Sequence, residues 1–123
     1  MSDKPRILLI EDEEDMVEAV RLRLEANKYE VLIAKDGSDG LQQARTLKPD
    51  LIILDIMLPK LDGFQVCRML KFDSNYSRIP IIMLTAKTQA QDIAQGKEMG
   101  ADAYITKPFK AEDLLAKIKE LLA

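Results

Sequence analysis

Five short apolar segments recur along the chain: RILLI at 6–10, EVLIA at 30–34, LIIL at 51–54, IPIIML at 79–84 and AYIT at 103–106. A strand with one wet face alternates apolar and polar residues. These runs are largely continuous instead, the pattern of strands covered on both faces of a parallel sheet. Helical spacing fills the intervals. Met16, Val20 and Leu24 stand at i, i+4 and i+8 within 14–27, and Leu114, Leu115, Ile118, Leu121 and Leu122 repeat that spacing near the end, with Lys117, Lys119 and Glu120 opposite. The stretch TQAQDIAQGKEMG at 88–100 has the thinnest apolar stripe (Ile93, Ala94 and Met99), so a small local opening free energy is expected there. Alternating strand and helix in one chain implies right-handed crossovers and helices on both faces of one sheet. The expectation is a single doubly wound α/β domain over 1–123 with a five-stranded parallel sheet.

Composition narrows the chemistry. Apolar residues at 47% and charged residues at 32% suit a soluble globular domain. No apolar run approaches the roughly 20 residues needed to cross a bilayer, and the apolar stretch after MSDKPR is too short for a secretory signal, which points to the cytoplasm. Cys67, the one cysteine, has no intrachain partner, in keeping with a reducing compartment. A net charge of -3 without a basic cluster argues against direct nucleic-acid binding. The absence of histidine excludes a Ser-His-Asp triad, a histidine metal cage and a phosphohistidine on this chain. Carboxylates, hydroxyls and amines are left to carry any chemistry.

In open parallel sheets, ligands gather beyond the carboxyl ends of the strands. Glu11 and Asp12 follow the first strand, Asp55 the third, Thr85 the fourth, and Lys107 with Pro108 the fifth; KDGSDG at 35–40, after the second, has the character of a turn and a helix start. Taken singly, each has an ordinary account. Glu13, Glu14 and Asp15 are favoured charges at a helix N-terminus, Asp55 a turn or cap, Thr85 a strand end, Lys107 a solvated surface group, and Asp62-Gly63 a turn. Taken together, three carboxylates at one sheet edge repel one another and resist ionising without compensation. They invite a cation. An oxygen-only donor set points to a hard ion, and a shallow site of carboxylates and waters suits Mg²⁺ better than a caged Ca²⁺. With Lys107 as a second positive charge and Thr85 as a hydroxyl donor, Asp55 has the surroundings in which a carboxylate accepts a phosphoryl group.

These residues resemble the receiver domain of bacterial two-component response regulators. The carrying motifs are EDE after strand one, LDIMLPKLDG around Asp55, LTA at 84–86 and GADAYITKPF at 100–109, in order over essentially the whole chain. The resemblance implies a flavodoxin-like fold with strand order 2-1-3-4-5, as in the chemotaxis member of the family. It also implies that Asp55 is the phosphoacceptor, and that Glu11, Asp12, an Asp55 oxygen and the backbone carbonyl of Met57 hold Mg²⁺. Lys107 would pair with Asp55 and then with the phosphoryl oxygens, and its bond to Pro108 is expected to be cis. Thr85 would reach the phosphoryl group, small Ala86 would leave room, and Tyr104 would turn inward as the aromatic half of a switch. Met57 and Lys87 occupy positions that tune phosphoryl lifetime.

The implied function is a phosphorylation-controlled switch. A partner histidine kinase or phosphotransfer protein would donate to Asp55, and the face over 88–122 would change for a downstream protein or an attached effector domain. Such a domain catalyses only its own phosphoryl transfer and autodephosphorylation, and is not otherwise an enzyme. Regulators that dimerise through that face to bind DNA often carry two acids before the aromatic. Here the order is Asp102, Ala103, Tyr104, which argues against that particular dimer and leaves a weak or phosphorylation-dependent one open. A haloacid dehalogenase-like phosphatase would need a second acid where Met57 stands, and a flavodoxin-like nucleotide site would need a phosphate-cradling loop where EDEED stands. A non-phosphorylated receiver would commonly lack some of these acids. No linker follows Leu122, which favours a stand-alone regulator, though a receiver cut from a longer protein would read the same.

Overall fold

The computed structural model describes residues 4–85 and 98–123. The described chain runs β1 (Arg6–Ile10), α1 (Glu14–Ala26), β2 (Glu30–Ala34), α2 (Gly37–Leu47), β3 (Leu51–Asp55), α3 (Gly63–Lys71), β4 (Ile81–Thr85), β5 (Ala103–Thr106) and α4 (Ala111–Leu122). All neighbouring strands are parallel, in the order β2-β1-β3-β4-β5. The α/β architecture and strand order expected from sequence are the ones observed.

The continuous apolar runs are explained by a core on each face of the sheet. Ile7, Leu9, Leu51, Ile53, Ile82 and Leu84 point to the side covered by α1 and α4, where Val17, Val20, Leu24, Leu114 and Ile118 meet them. Their alternates Leu8, Ile10, Ile52, Leu54, Ile81 and Met83 point to the side covered by α2 and α3, against Leu41, Ala44, Val66, Cys67 and Leu70. A period of two along each strand thus feeds two cores at once. The central strands β3 and β4 are buried throughout, whereas β2 and β5, at the edges, are partly exposed.

Local sequence sets the helix starts. Asp36 caps α2 by accepting from the Asp39 amide at 2.7 Å. Asp62 and Gln65 form a reciprocal capping box at the start of α3: Gln65 N–H donates to Asp62 Oδ1 at 2.9 Å and Asp62 N–H donates to Gln65 Oε1 at 3.2 Å. Asp62-Gly63, read from sequence as a turn, is therefore a helix cap. Glu14 and Asp15 occupy the first turn of α1, as expected of charges near the positive end of a helix dipole. Of the segment 88–100, only 98–100 falls within the described residues, with Met99 packed against the second core. The Ile93 and Ala94 readings lie outside them. No helix among the described residues is long and apolar enough to cross a membrane.

Candidate functional site

Parallel pairing brings the candidate residues to one edge. Glu11 follows β1 and stays tied to the sheet, its N–H donating to the Ala34 carbonyl at 3.0 Å. Asp55 is the last residue of β3, in register with Leu84, and the next amide, Ile56 N–H, donates to the Leu84 carbonyl at 3.2 Å. Thr85 ends β4 opposite Thr106, and Lys107 N–H donates to the Thr85 carbonyl at 2.6 Å. Lys107 is thereby fixed one residue beyond the last strand pair, and its bond to Pro108 is cis. Glu11, Asp55 and Thr85 are the buried polar residues of the described chain, at 1%, 6% and 2% exposure.

Within this edge one carboxylate oxygen from each of Glu11, Asp12 and Asp55 lies within 4.8 Å of the other two, with Asp12 exposed. Lys107 Nζ stands 3.2 Å from Glu11 Oε2 and 3.4 Å from Asp55 Oδ2. Burial foremost, and then the Asp55 charge, push the Glu11 carboxyl up to about 7 against the opposing pull of the Glu13 amide and Lys107. Burial works against the Lys107 ammonium, but the Asp55 and Glu11 carboxylates outweigh it and raise its pKa above the ordinary lysine value.

The donor chemistry fits a small hard dication. An octahedral ion with oxygen ligands at roughly 2.1 Å places those oxygens about 3–4 Å apart, a spacing that carboxylates already within 4.8 Å reach by side-chain rotation. Asp12 opens the cluster to solvent, beside a cleft lined by Met57, Leu58, Pro59 and Phe64. Met57 itself is 66% exposed at the mouth of the cluster. The three carboxylates of Glu11, Asp12 and Asp55 are the groups that could hold such an ion.

Tyr104 is half-buried on β5, packed against the α2–α3 core. Its hydroxyl is enclosed with no hydrogen-bond partner among the described residues, and burial, then Cys67 and Asp102, push the phenol up to about 12. Ala86 and Lys87 lie outside the described residues.

Two supports escape a reading of the sequence. A Cβ on Gly63 would lie 2.4 Å from the Asp55 carbonyl oxygen and 2.7 Å from Ile56 Cα, so the start of α3 seats directly on the end of β3. The DG pair signals a turn but not what it touches. Lys71, at the end of α3, donates to the Ser77 carbonyl at 2.7 Å, the Ile79 carbonyl at 3.0 Å and Asp102 Oδ2 at 2.9 Å. Asp102 Oδ2 also accepts from Ile81 N–H at 2.8 Å, which joins α3 to the starts of β4 and β5. Nothing local in the sequence marks that pair.

Comparison with known proteins agrees with this geometry. The family model for the response regulator receiver domain matches residues 7–119. The chain is 49% identical to the DNA-binding dual master transcriptional regulator RpaA of Synechocystis, over 96% of this chain and 49% of that protein. It is 46% identical to the alkaline phosphatase synthesis transcriptional regulatory protein PhoP of Bacillus subtilis, over 95% of this chain and 48% of that one. The chain thus spans about half the length of these relatives. Among solved structures, a putative response regulator from Chloroflexus aurantiacus superposes with a TM-score of 0.93 at 32% identity, covering 98% of each chain. The receiver domain of the sensor histidine kinase PA1611 from Pseudomonas aeruginosa, solved with magnesium in its active-site cleft, gives 0.89 at 30% identity over 97% and 98% of the two chains. With the sheet order, the acidic cluster and the lysine at the β5 end all in place, the chain belongs to the response regulator receiver domain family.

Proposed function

We propose that this domain accepts a phosphoryl group on Asp55 from the phosphohistidine of a partner kinase or phosphotransfer protein, and uses it to switch the partner-binding face that the sequence assigns to 88–122. The observation that carries the reading is the position of Asp55: a nearly buried carboxylate at a strand end, with Lys107 Nζ at 3.4 Å and the Glu11–Asp12 pair alongside. Its carboxylate oxygen attacks phosphorus, and the P–N bond breaks. The imidazole nitrogen of the donor leaves with the bonding electrons and takes up a proton. Lys107 neutralises charge on the phosphoryl oxygens, and the Thr85 hydroxyl donates to one of them. Glu11, Asp12, Asp55 and the Met57 carbonyl would hold Mg²⁺, which would supply the remaining charge neutralisation when bound.

Hydrolysis of the aspartyl phosphate by water resets the domain. Met57 stands where a phosphatase of the haloacid dehalogenase type would carry a general acid. A thioether has no proton to give, so repeated turnover on a small substrate is not expected. Thr85 and Tyr104 then couple the phosphoryl group to a shift between inactive and active states. The output is a downstream protein or an effector domain such as the DNA-binding relatives' names suggest, in the cytoplasm, without nucleic-acid contacts by this domain and with at most a weak or phosphorylation-dependent dimer. Residues 1–123 act as one receiver unit in this reading.

The test is the intact mass of wild type and Asp55→Asn after incubation with Mg²⁺ and a small acyl phosphate. One added phosphoryl group on wild type alone, lost with a chelator, is expected. A chain that takes no phosphoryl group from the acyl phosphate or from a histidine-phosphorylated donor sinks the proposal.

A further inference from the structure

The turn between β2 and α2, residues 34–37, supplies no group to the proposed site, yet it touches both halves of it. On one side the Ala34 carbonyl accepts from Glu11 N–H at 3.0 Å. On the other, Gly37 N–H donates to the Pro59 carbonyl at 3.2 Å, in the loop that carries Met57. Lys60 Nζ, from that loop, reaches Asp36 Oδ2 at 3.5 Å. A Cβ on Gly37 would lie 1.9 Å from the Leu61 carbonyl oxygen, so the two backbones are in direct contact. The loop is also closed at its neck, where Gly63 N–H donates to the Ile56 carbonyl at 2.8 Å, and turned tightly at its tip, where Leu61 N–H donates to the Pro59 carbonyl at 2.9 Å and Lys60 adopts φ 69°. A short loop closed at its neck and pressed at its tip passes displacement into the limb between them, where Met57 sits next to the neck.

We propose that the β2–α2 turn is a brace that sets the spacing between the Glu11–Asp12 pair and the Met57 loop, with Gly37 as the positioning residue on which that spacing depends. This rests on the metal reading above and extends it to residues that never meet the ion. Gly37 must lack a side chain because its neighbour is a backbone carbonyl, which cannot rotate away. Gly40, one turn along the same helix, is also packed tightly, a Cβ there lying 2.6, 2.8 and 2.9 Å from Ile10 Cδ1, Cγ2 and Cγ1, and that β-branched, fully buried neighbour directly precedes Glu11, so a methyl at Gly40 would disturb the acidic pair by its own route.

A destabilising control is available at the other end of the sheet, where Asp102 binds Lys71 and Ile81 N–H. Mg²⁺ alone is titrated calorimetrically into wild type, Gly37→Ala, Asp102→Ala and Lys60→Gly. Lys60→Gly keeps a residue at ease with positive φ while cutting the tie to Asp36. Gly37→Ala should bind Mg²⁺ at least tenfold more weakly, Lys60→Gly at least threefold more weakly, and Asp102→Ala within twofold of wild type even though its melting temperature falls. A merely structural role for Gly37 would lower stability without changing the affinity of the folded protein. A folded Gly37→Ala within twofold of wild type overturns the inference. If Gly37→Ala does not fold, wild-type affinity in Lys60→Gly overturns it instead. Failure of wild type to bind would overturn the metal reading and the brace together, whereas binding by wild type with unchanged variants overturns the brace alone.

Discussion

Lys107 Nζ stands 3.2 Å from Glu11 Oε2 and 3.4 Å from Asp55 Oδ2, so one ammonium is shared by two carboxylates of the proposed ion-binding set. Lys107→Ala removes the cation that two nearly buried carboxylates share. The variant should lose about 1–3 kcal/mol of stability at pH 8 without Mg²⁺, and regain more than wild type does when Mg²⁺ is added. Under the switch reading it still takes a phosphoryl group but binds a phosphorylation-dependent partner more weakly. Urea titrations with and without Mg²⁺ check the first part. Equal Mg²⁺ stabilisation of wild type and variant would separate Lys107 from the cluster.

The pH dependence follows from Glu11. Its folded pKa, about 7, lies above the ordinary 4.5, so between those values the folded state holds a proton that the unfolded chain has released. This contribution to stability is greatest below about 4.5, declines as pH rises through the window, and is gone above about 7. Mg²⁺ requires the ionised carboxylate and so expels that proton. Its affinity should fall by up to tenfold per pH unit below about 7 and level off above it. At ten times its dissociation constant, Mg²⁺ should stabilise the fold by about 1.4 kcal/mol. Thermal melts with millimolar Mg²⁺ at pH 6 and pH 8 measure both, and identical shifts at the two pH values would contradict the Glu11 assignment.

Gly63→Ala places a methyl against the Asp55 carbonyl oxygen and Ile56 Cα, both backbone atoms. Overpacking at such a contact costs about 1–3 kcal/mol and displaces the strand end that carries the acceptor. The expected result is a lower urea midpoint together with slower phosphorylation by an acyl phosphate. A destabilised variant phosphorylated at the wild-type rate would show that the end of β3 does not depend on this contact.

Lys71 and Asp102 are a structural pair with no part in the proposed chemistry. Asp102→Ala leaves the largely buried ammonium with carbonyl partners only and strips Ile81 N–H of its acceptor, a loss of about 2–4 kcal/mol. A double-mutant cycle with Lys71→Met should give a coupling above about 0.5 kcal/mol, and additivity would mean the pair contributes nothing jointly.

Cys67 is fully buried, its Sγ 3.5 Å from the Met99 carbonyl, and burial pushes its thiol up to about 12. From an ordinary value near 9, that leaves roughly a thousandfold less thiolate at pH 8. Iodoacetamide should therefore modify the native protein only through opening of the structure, and rapidly in urea. Fast native labelling would place the thiol outside the core.

Much of the fold is written locally. Three strands begin and end where the apolar segments do, at 6–10, 30–34 and 103–106, because both faces of the sheet are covered and nothing polar interrupts the run. Three boundaries differ, for backbone reasons. Strand pairing carries on through Asp55 and through Thr85, and β4 begins at Ile81 rather than Ile79, since Pro80 has no N–H to donate, though its carbonyl still accepts from Ile52 at 2.9 Å. The D-x-x-Q capping signature at 62–65 was present in the sequence but lay behind the stronger turn signal of Asp-Gly.

Hydrophobic periodicity and cap chemistry act over a few residues, so the alternation of strand and helix, the two-faced sheet and the set of polar residues at strand ends are legible in the amino-acid order alone. Folding of the whole domain is what bonds Lys107 to Glu11 across 96 positions, presses Gly63 and Gly37 onto backbone carbonyls and matches Lys71 to Asp102. Those relations depend on the register between strands and on how closely two backbones approach. Both are set by packing the whole domain, and neither leaves a periodic mark on the residues involved.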